Sequence, residues 1–284
     1  MYGKSEDRDD YQEVPRPVAA MARDLPDGHH IPPHRHRRAQ LIYGTTGAIT
    51  VVTGHGTWVV PATRGAWVPP RLTHEMRCAG PVAMRTLYLD PAAAVELPDV
   101  PTVVSVSPLL RELIDEATRL PVEYEAEGRD GHVMALLLRE LTPHPVMALL
   151  LRELTPHPVA ALLLRELTPH PVAALHLPAP DSPRLAALCD AVRRSPADPW
   201  TTGRAAAFAH LSPRSLQRDF SAATGMSLAR WVQQARLVHA VTLLVRGSSV
   251  TAMAGAVGYA TPSAFTAMFR RALGTMPRDY FAAT

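Results

Sequence analysis

A chain of 284 residues, 47% of them hydrophobic, with 29 basic against 26 acidic side chains for a net charge of +3, has room for two globular domains and is not a disordered polymer. Its longest apolar runs, such as Val159–Leu164, are six residues against the roughly 20 that span a bilayer, and Met1–Tyr11 is too polar for a signal peptide, so no membrane partner is expected. Two cysteines, Cys78 and Cys189, make no disulfide framework and suit the reducing cytoplasm, the expected location.

From Val18 to Leu89 the chain reads as short β-rich runs: Gln40–Tyr43, Ala48–Thr53, Thr57–Pro61, Gly65–Val68 and Ala83–Leu89. Turns fall between them at Gly44–Gly47, Gly54–Gly56 and Cys78–Pro81. Evenly spaced strands with Gly and Pro between them predict a sandwich or barrel, assigned to residues 14–96. After Pro108 the period changes. Leu109, Leu110, Leu113, Ile114, Ala117 and Leu120 recur at helical spacing, with Arg111, Glu112, Asp115 and Glu116 on the other face. Such a stripe needs cover, from its own barrel or from the same helix of a second subunit. A homodimer is the expected assembly.

Val133, Val146, Val159 and Val172 stand 13 residues apart, each opening a nearly identical Leu-rich unit that ends in Pro-His-Pro, except the last, which reads VAALHLPAP. Each unit has room for about two and a half helical turns before proline stops it. In-frame duplication within a tolerant inter-domain helix accounts for the array, and residues 107–177 are expected to form a helical dimerisation and linker region. His132, His144, His157 and His170 repeat with the unit and are not read as a metal site. Pro178, Pro180 and Pro183 mark a linker.

Residues 181–284 carry twelve Arg and five Asp, with no Lys or Glu, while the rest of the chain is net acidic. A basic block fused to an acidic one points to a nucleic-acid-binding module. Ser212 and Pro213 open a helix as N-cap and first residue, with Leu216 and Phe220 on its inner face. Arg214, Gln217 and Arg218 fall on the other face, where Arg suits guanine edges or phosphate and Gln suits adenine edges. The preceding Ala205–Ala209 supplies the supporting helix. A second copy follows: Val250–Val257, a turn at Gly258-Tyr259, then Pro262–Ala272 with Phe265 and Phe269 inward. Between the copies Leu228–Arg246 would run about 28 Å as a helix, close to the ~34 Å between successive major-groove windows.

The run Ser212–Phe220, Gly225-Met-Ser, Arg236-Leu, Val250…Met253-Ala254…Gly258-Tyr259…Ser263…Phe265…Phe269-Arg270 and Gly274-Thr-Met-Pro277…Tyr280 resembles the AraC/XylS-type DNA-binding domain over about 100 residues. The resemblance implies double-stranded DNA as partner. The family's contact positions fall on Arg214, Gln217 and Arg218 in the first reading helix and on Pro262, Ser263, Thr266 and Ala267 in the second; Ser215 beside the first set, and Arg270 and Arg271 on the outward face of the second helix, join the expected DNA contacts. Two positions depart from the family: His210 stands where the first turn usually has Gly, and Ala267 where some members carry a base-reading Arg. The second half is therefore expected to contribute backbone contacts more than base specificity.

Gly28-x5-His34-x-His36-x3-Gln40-x6-Gly47 is similar to the first cupin motif, with Gln for the usual Glu. Pro69-x-Arg71-x2-His74 resembles the second, with Arg for its Gly. The His-x-His spacing would put two imidazoles on one face of a strand. In a cupin barrel His34, His36, Gln40 and His74 converge as three nitrogens and one oxygen, a set that suits Zn, Ni, Co, Fe or Mn. Such binding should weaken as pH falls through about 6.5, where free imidazole takes up a proton. The alternative is a barrel holding a small organic effector without metal.

The sequence thus describes an α+β protein of two domains, a cupin-type β-barrel (jelly roll) followed by an all-α tandem helix-turn-helix domain. Its expected function is sequence-specific transcription regulation, sensing a metal ion or small effector, and not catalysis. A metal-dependent cupin dioxygenase or isomerase with secondary DNA binding is the alternative.

Overall fold

The computed structural model describes residues 7–62, 64–94, 97–141 and 175–280. Ten strands form two antiparallel five-stranded sheets. They are β1 (Val18–Leu25), β2 (His30–His34), β3 (Ala39–Gly44), β4 (Ala48–Thr53), β5 (Gly56–Pro61), β6 (Arg64–Val68), β7 (His74–Ala79), β8 (Val82–Leu89), β9 (Thr102–Ser105) and β10 (Leu175–Pro178). One sheet runs β1-β8-β3-β6-β9 and the other β10-β5-β4-β7-β2. Their facing sides enclose a core of Ile42, Ile49, Val51, Trp58, Val68 and Met76. This is the expected cupin-like jelly roll.

β3 is buried along its whole length because both faces are covered. Gln40 and Ile42 turn inward. Leu41 and Tyr43 turn outward, where α1 (Pro108–Ala117) and α2 (Arg129–Leu141) pack with Leu110, Leu113, Ile114, Met134 and Leu137. The predicted stripe on α1 is therefore covered by its own barrel and by α2. β2 carries Pro32 and Pro33, tolerated because it is an edge strand with a register shift between Ile31 and His34.

The expected all-helical stretch 107–177 needs correction. The first repeat copy enters α2, residues 142–174 lie outside the described residues, and the last copy supplies β10. Its Leu175-His176-Leu177 alternates buried and half-buried positions, and Pro178 with Pro180 forbids the helix that the same text forms earlier. The sheets likewise reach past the assigned 14–96 by taking in β9 and β10.

The C-terminal domain comprises α3 (Pro183–Arg194), α4 (Thr202–Phe208), α5 (Pro213–Thr224), α6 (Leu228–Val245), α7 (Val250–Ala256) and α8 (Pro262–Leu273). Along α6, Leu228, Trp231, Val232 and Ala235 pack into the first helix-turn-helix, and Leu237, Ala240 and Val241 into the second. Nine residues separate the two stripes, about half a revolution at 100° per residue, so one helix serves two cores on opposite sides. No helix among the described residues is long and apolar enough to cross a membrane.

β10 joins the domains. It pairs with β5 on the barrel, while Leu177 enters the first helical core and Leu175 the second. Trp231 Nε1 donates to Pro178 O at 3.0 Å and Arg193 Nη1 to Thr57 Oγ1 at 2.8 Å. Asp27 accepts from Gly80 N and from Arg246 Nε, which hold its carboxyl below the usual carboxylate range.

Candidate functional site

His34 ends β2, Gln40 lies in β3 and His74 opens β7, opposite His34 in register. His36 stands in the β2–β3 connection, so the two imidazoles do not share a strand face as the spacing suggested. They converge all the same. One ring nitrogen from each of His34, His36 and His74 lies within 4.8 Å of the others, and His36 and His74 are buried.

The hydrogen bonds fix which atoms face inward. A carbonyl only accepts, so His34 Nδ1 donates to Pro32 O at 2.7 Å and His74 Nδ1 to Leu72 O at 3.0 Å. In the neutral rings Nε2 then carries a lone pair. Gln40 Nε2 donates to Thr86 Oγ1 at 2.9 Å, and Thr86 donates to Leu41 O at 2.9 Å. That chain turns Gln40 Oε1 toward His74 Nε2 at 3.0 Å, an acceptor facing an acceptor. Both ring nitrogens of His36 are buried, with no hydrogen-bond partner among the described residues. A cation supplies what this donor set lacks, so the residues fit the metal that the motifs implied.

Burial pushes the His36 imidazole down to about 3, with smaller contributions from His34, His74 and Arg8, and His74 down to about 4, opposed by its hydrogen bond to Leu72 O and aided slightly by His34 and Arg8. His34 is lowered too, chiefly by burial. The imidazoles are thus neutral well below pH 6.5, the protonation state in which a histidine can ligate a metal.

Beside the cluster lies a cavity of about 460 Å³, with Met21, Met76 and Met84 as apolar wall and His34, Gln40 and Tyr88 as polar groups. Ile31, Arg23, and Asp7, Arg8 and Asp9 around a short 3-10 helix (Arg8–Tyr11), complete its lining. Arg38, 1% exposed, holds this segment: its backbone N–H donates to Gln12 Oε1 and its guanidinium to Gln12 O and Val14 O. Sequence reasoning began the barrel at residue 14 and missed these residues. The buried-arginine clamp that brings them over is a non-local contact with no periodic signature.

Arg71, at the position where the second motif has Gly, adopts φ 62°, and its N–H donates to His36 O at 2.7 Å. A non-glycine residue in this region is strained and persists where the surroundings require it.

In the helical domain, Ser212 caps α5, accepting from Ser215 N at 3.1 Å, and Leu216 with Phe220 anchors the inner face. Arg214, Gln217 and Arg218 are exposed together; Ser215 is half-buried and bonded to the cap hydroxyl. Arg218 pairs with Asp219 at 2.9 Å, an exposed contact that costs little to give up. His210 has φ 54°, the left-handed turn its position demands. At the second turn Gly258 has φ 78°, and a Cβ there would meet Ala197 O at 2.5 Å. On α8, Pro262, Ser263, Ala267, Arg270 and Arg271 are exposed and Thr266 half-buried, opposite Phe265, Met268 and Phe269.

Residues 19–141 match the AraC-like ligand binding domain, and residues 205–283 a helix-turn-helix domain. The HTH-type transcriptional regulator NimR of Escherichia coli (strain K12) is 30% identical over 251 residues, 88% of this chain and 82% of that protein. The HTH-type transcriptional regulator RipA of Corynebacterium glutamicum is 35% identical over 104 residues, 37% of this chain and 31% of that protein. The DNA-binding domain of AdpA, solved in complex with a target DNA, aligns at 32% identity with 36% of this chain, covering 93% of its own, at a TM-score of 0.34. With a ligand-binding β domain ahead of a paired helix-turn-helix domain, the chain belongs to the AraC family of transcriptional regulators.

Proposed function

We propose that the barrel takes up a divalent transition-metal ion through His34, His36, Gln40 and His74, and that occupancy, alone or with a small effector in the adjoining cavity, changes how the reading helices meet operator DNA. The observation that carries this reading is the meeting of atoms able to ligate: the neutral His36 ring, buried with no hydrogen-bond partner for its lone-pair nitrogen among the described residues, and the lone pair of His74 Nε2 facing Gln40 Oε1 at 3.0 Å. When bound, such an ion supplies a Lewis-acidic centre for an effector's donor atoms. On the DNA side, Arg214, Gln217 and Arg218 read base edges with Ser215 beside them, and Pro262, Ser263, Thr266, Arg270 and Arg271 seat the second helix in the next window.

A route between the sites is available in one sheet. β2 and β7 carry His34 and His74, and β10 and β5 at its other side hold the helical domain. The protein is read as cytoplasmic and as a homodimer. Glu75, the carboxylate next to His74 in sequence, is engaged with His30 at 3.2 Å and Arg77 at 3.7 Å, so an enzyme would have to draw its base from Asp7 or Asp9 in the cavity lining. The relatives are regulators, and no turnover by the barrel is expected.

Elemental analysis of protein prepared without an affinity tag tests the metal centre. About one transition-metal ion per chain is expected, lost in His36→Ala with His74→Ala. A metal-free protein that ignores added Zn, Ni, Co, Fe and Mn contradicts it and leaves an organic-effector pocket.

A further inference from the structure

The two reading helices differ in chemistry. α5 exposes long polar groups in Arg214, Gln217 and Arg218, able to form the paired hydrogen bonds that distinguish guanine and adenine. On α8 the packed face of Phe265, Met268 and Phe269 fixes what points outward. Helical spacing sets Ser263, Ala267 and Arg270 opposite it, with Thr266 at the margin. No side chain there reaches beyond a hydroxyl or a methyl until Arg270 and Arg271 in the last turn. Small side chains let a helix approach the groove floor closely, and the one apolar group on a major-groove base edge is the thymine 5-methyl, which Ala and the Thr methyl match.

We infer that α8 is a thymine-methyl reader, in which Thr266 and Ala267 pack against thymine methyls while Arg270 and Arg271 hold phosphates. The operator of one chain is then two unlike windows about one helical turn apart: one rich in guanine or adenine contacts beneath α5, one rich in thymine beneath α8. This rests on the assignment of α5 and α8 as reading helices, and it replaces the expectation that the second half contributes backbone contacts more than base specificity.

Selection of bound duplexes from a random pool by the full-length protein yields the operator, and each thymine is then replaced singly by deoxyuridine. In the second window, loss of a contacted methyl is expected to weaken binding about fourfold, the ratio that one buried methyl-sized group contributes. The same replacement in the first window changes binding little. Thr266→Ser, which keeps the hydroxyl and removes the methyl, should bind thymine and uracil alike at one position and leave the first window unaffected. Equal affinity for thymine and uracil throughout the second window overturns the inference while leaving base reading by α5 intact, as does a motif confined to one window. A pool that yields no motif overturns both the inference and the assignment of reading helices.

Discussion

Acidifying the metal-free protein is a direct probe of the buried imidazoles. In the folded chain His36 is held down to about 3 and His74 to about 4, both by burial first, whereas in the unfolded chain each titrates near 6.5. Below 6.5 the unfolded state therefore binds more protons than the folded one. The stability each ring contributes is fully present above pH 6.5 and is lost as pH falls toward the folded value. Between pH 7 and pH 5 the loss amounts to about 2 kcal/mol per ring, a large part of the ~5–15 kcal/mol that stabilises a typical domain. His36 is 4% exposed and His74 2%, so solvent screens little of this. The carboxylates lowered by pairing, Asp27 and Glu116, lose their contribution only at lower pH. His34, His176 and His239 are lowered as well and act in the same window and direction, so a variant must isolate one ring. Urea unfolding of chelator-treated parent and His36→Leu, at pH 7 and pH 5, provides it. The parent should lose about 2 kcal/mol more than the variant over that interval. An equal loss in the two proteins would refute the picture of a neutral, desolvated His36.

Gln217→Ala and Arg218→Ala should each cost about 1–3 kcal/mol on the selected operator and much less on random DNA, measured by competition binding; equal losses on both would reduce these side chains to phosphate clamps. His210→Gly should stabilise the helical domain by up to about 1 kcal/mol in thermal unfolding, because φ 54° burdens a side chain but not glycine; a destabilised variant would show that the imidazole makes a contact worth more than the strain. Deleting Val146–Pro171, two whole repeat units, should leave operator affinity and oligomeric state near those of the parent in binding and sedimentation assays. Loss of either would give the array a structural role.

Where local rules operate, the sequence was readable. Ser212-Pro213 announced α5 because capping and the proline ring act on the first turn alone, and His210 stood out only through the resemblance, as the residue at a position where the family has Gly. The four candidate ligands were identifiable by motif and do converge. Less legible was whatever depends on contacts distant in sequence. His36 lies off the strand that the His-x-His alternation implied, in a connection whose carbonyl accepts from Arg71 N–H at 2.7 Å, a contact distant in sequence, and it still meets His34. The 3-10 helix over the cavity is placed by Arg37 and Arg38 gripping Gln12, and neither arginine gives a periodic signal. β10 shows the limit most clearly. The repeat text forms a helix in α2, and its last copy forms a strand because β5 offers an open edge and the prolines deny it a helix.

The imidazole cluster and the reading helices are proposed to be energetically linked, a claim that operator titration with and without metal tests. Tag-free protein is stripped with chelator, reloaded with each of Zn, Ni, Co, Fe and Mn in turn, and titrated against the selected operator at fixed salt. The loaded and stripped forms of the parent should differ in operator affinity by about 1–3 kcal/mol, and His36→Ala with His74→Ala should bind with one affinity whatever metal is present. Identical affinities for loaded and stripped parent protein, with the ion demonstrably bound, would contradict the claim.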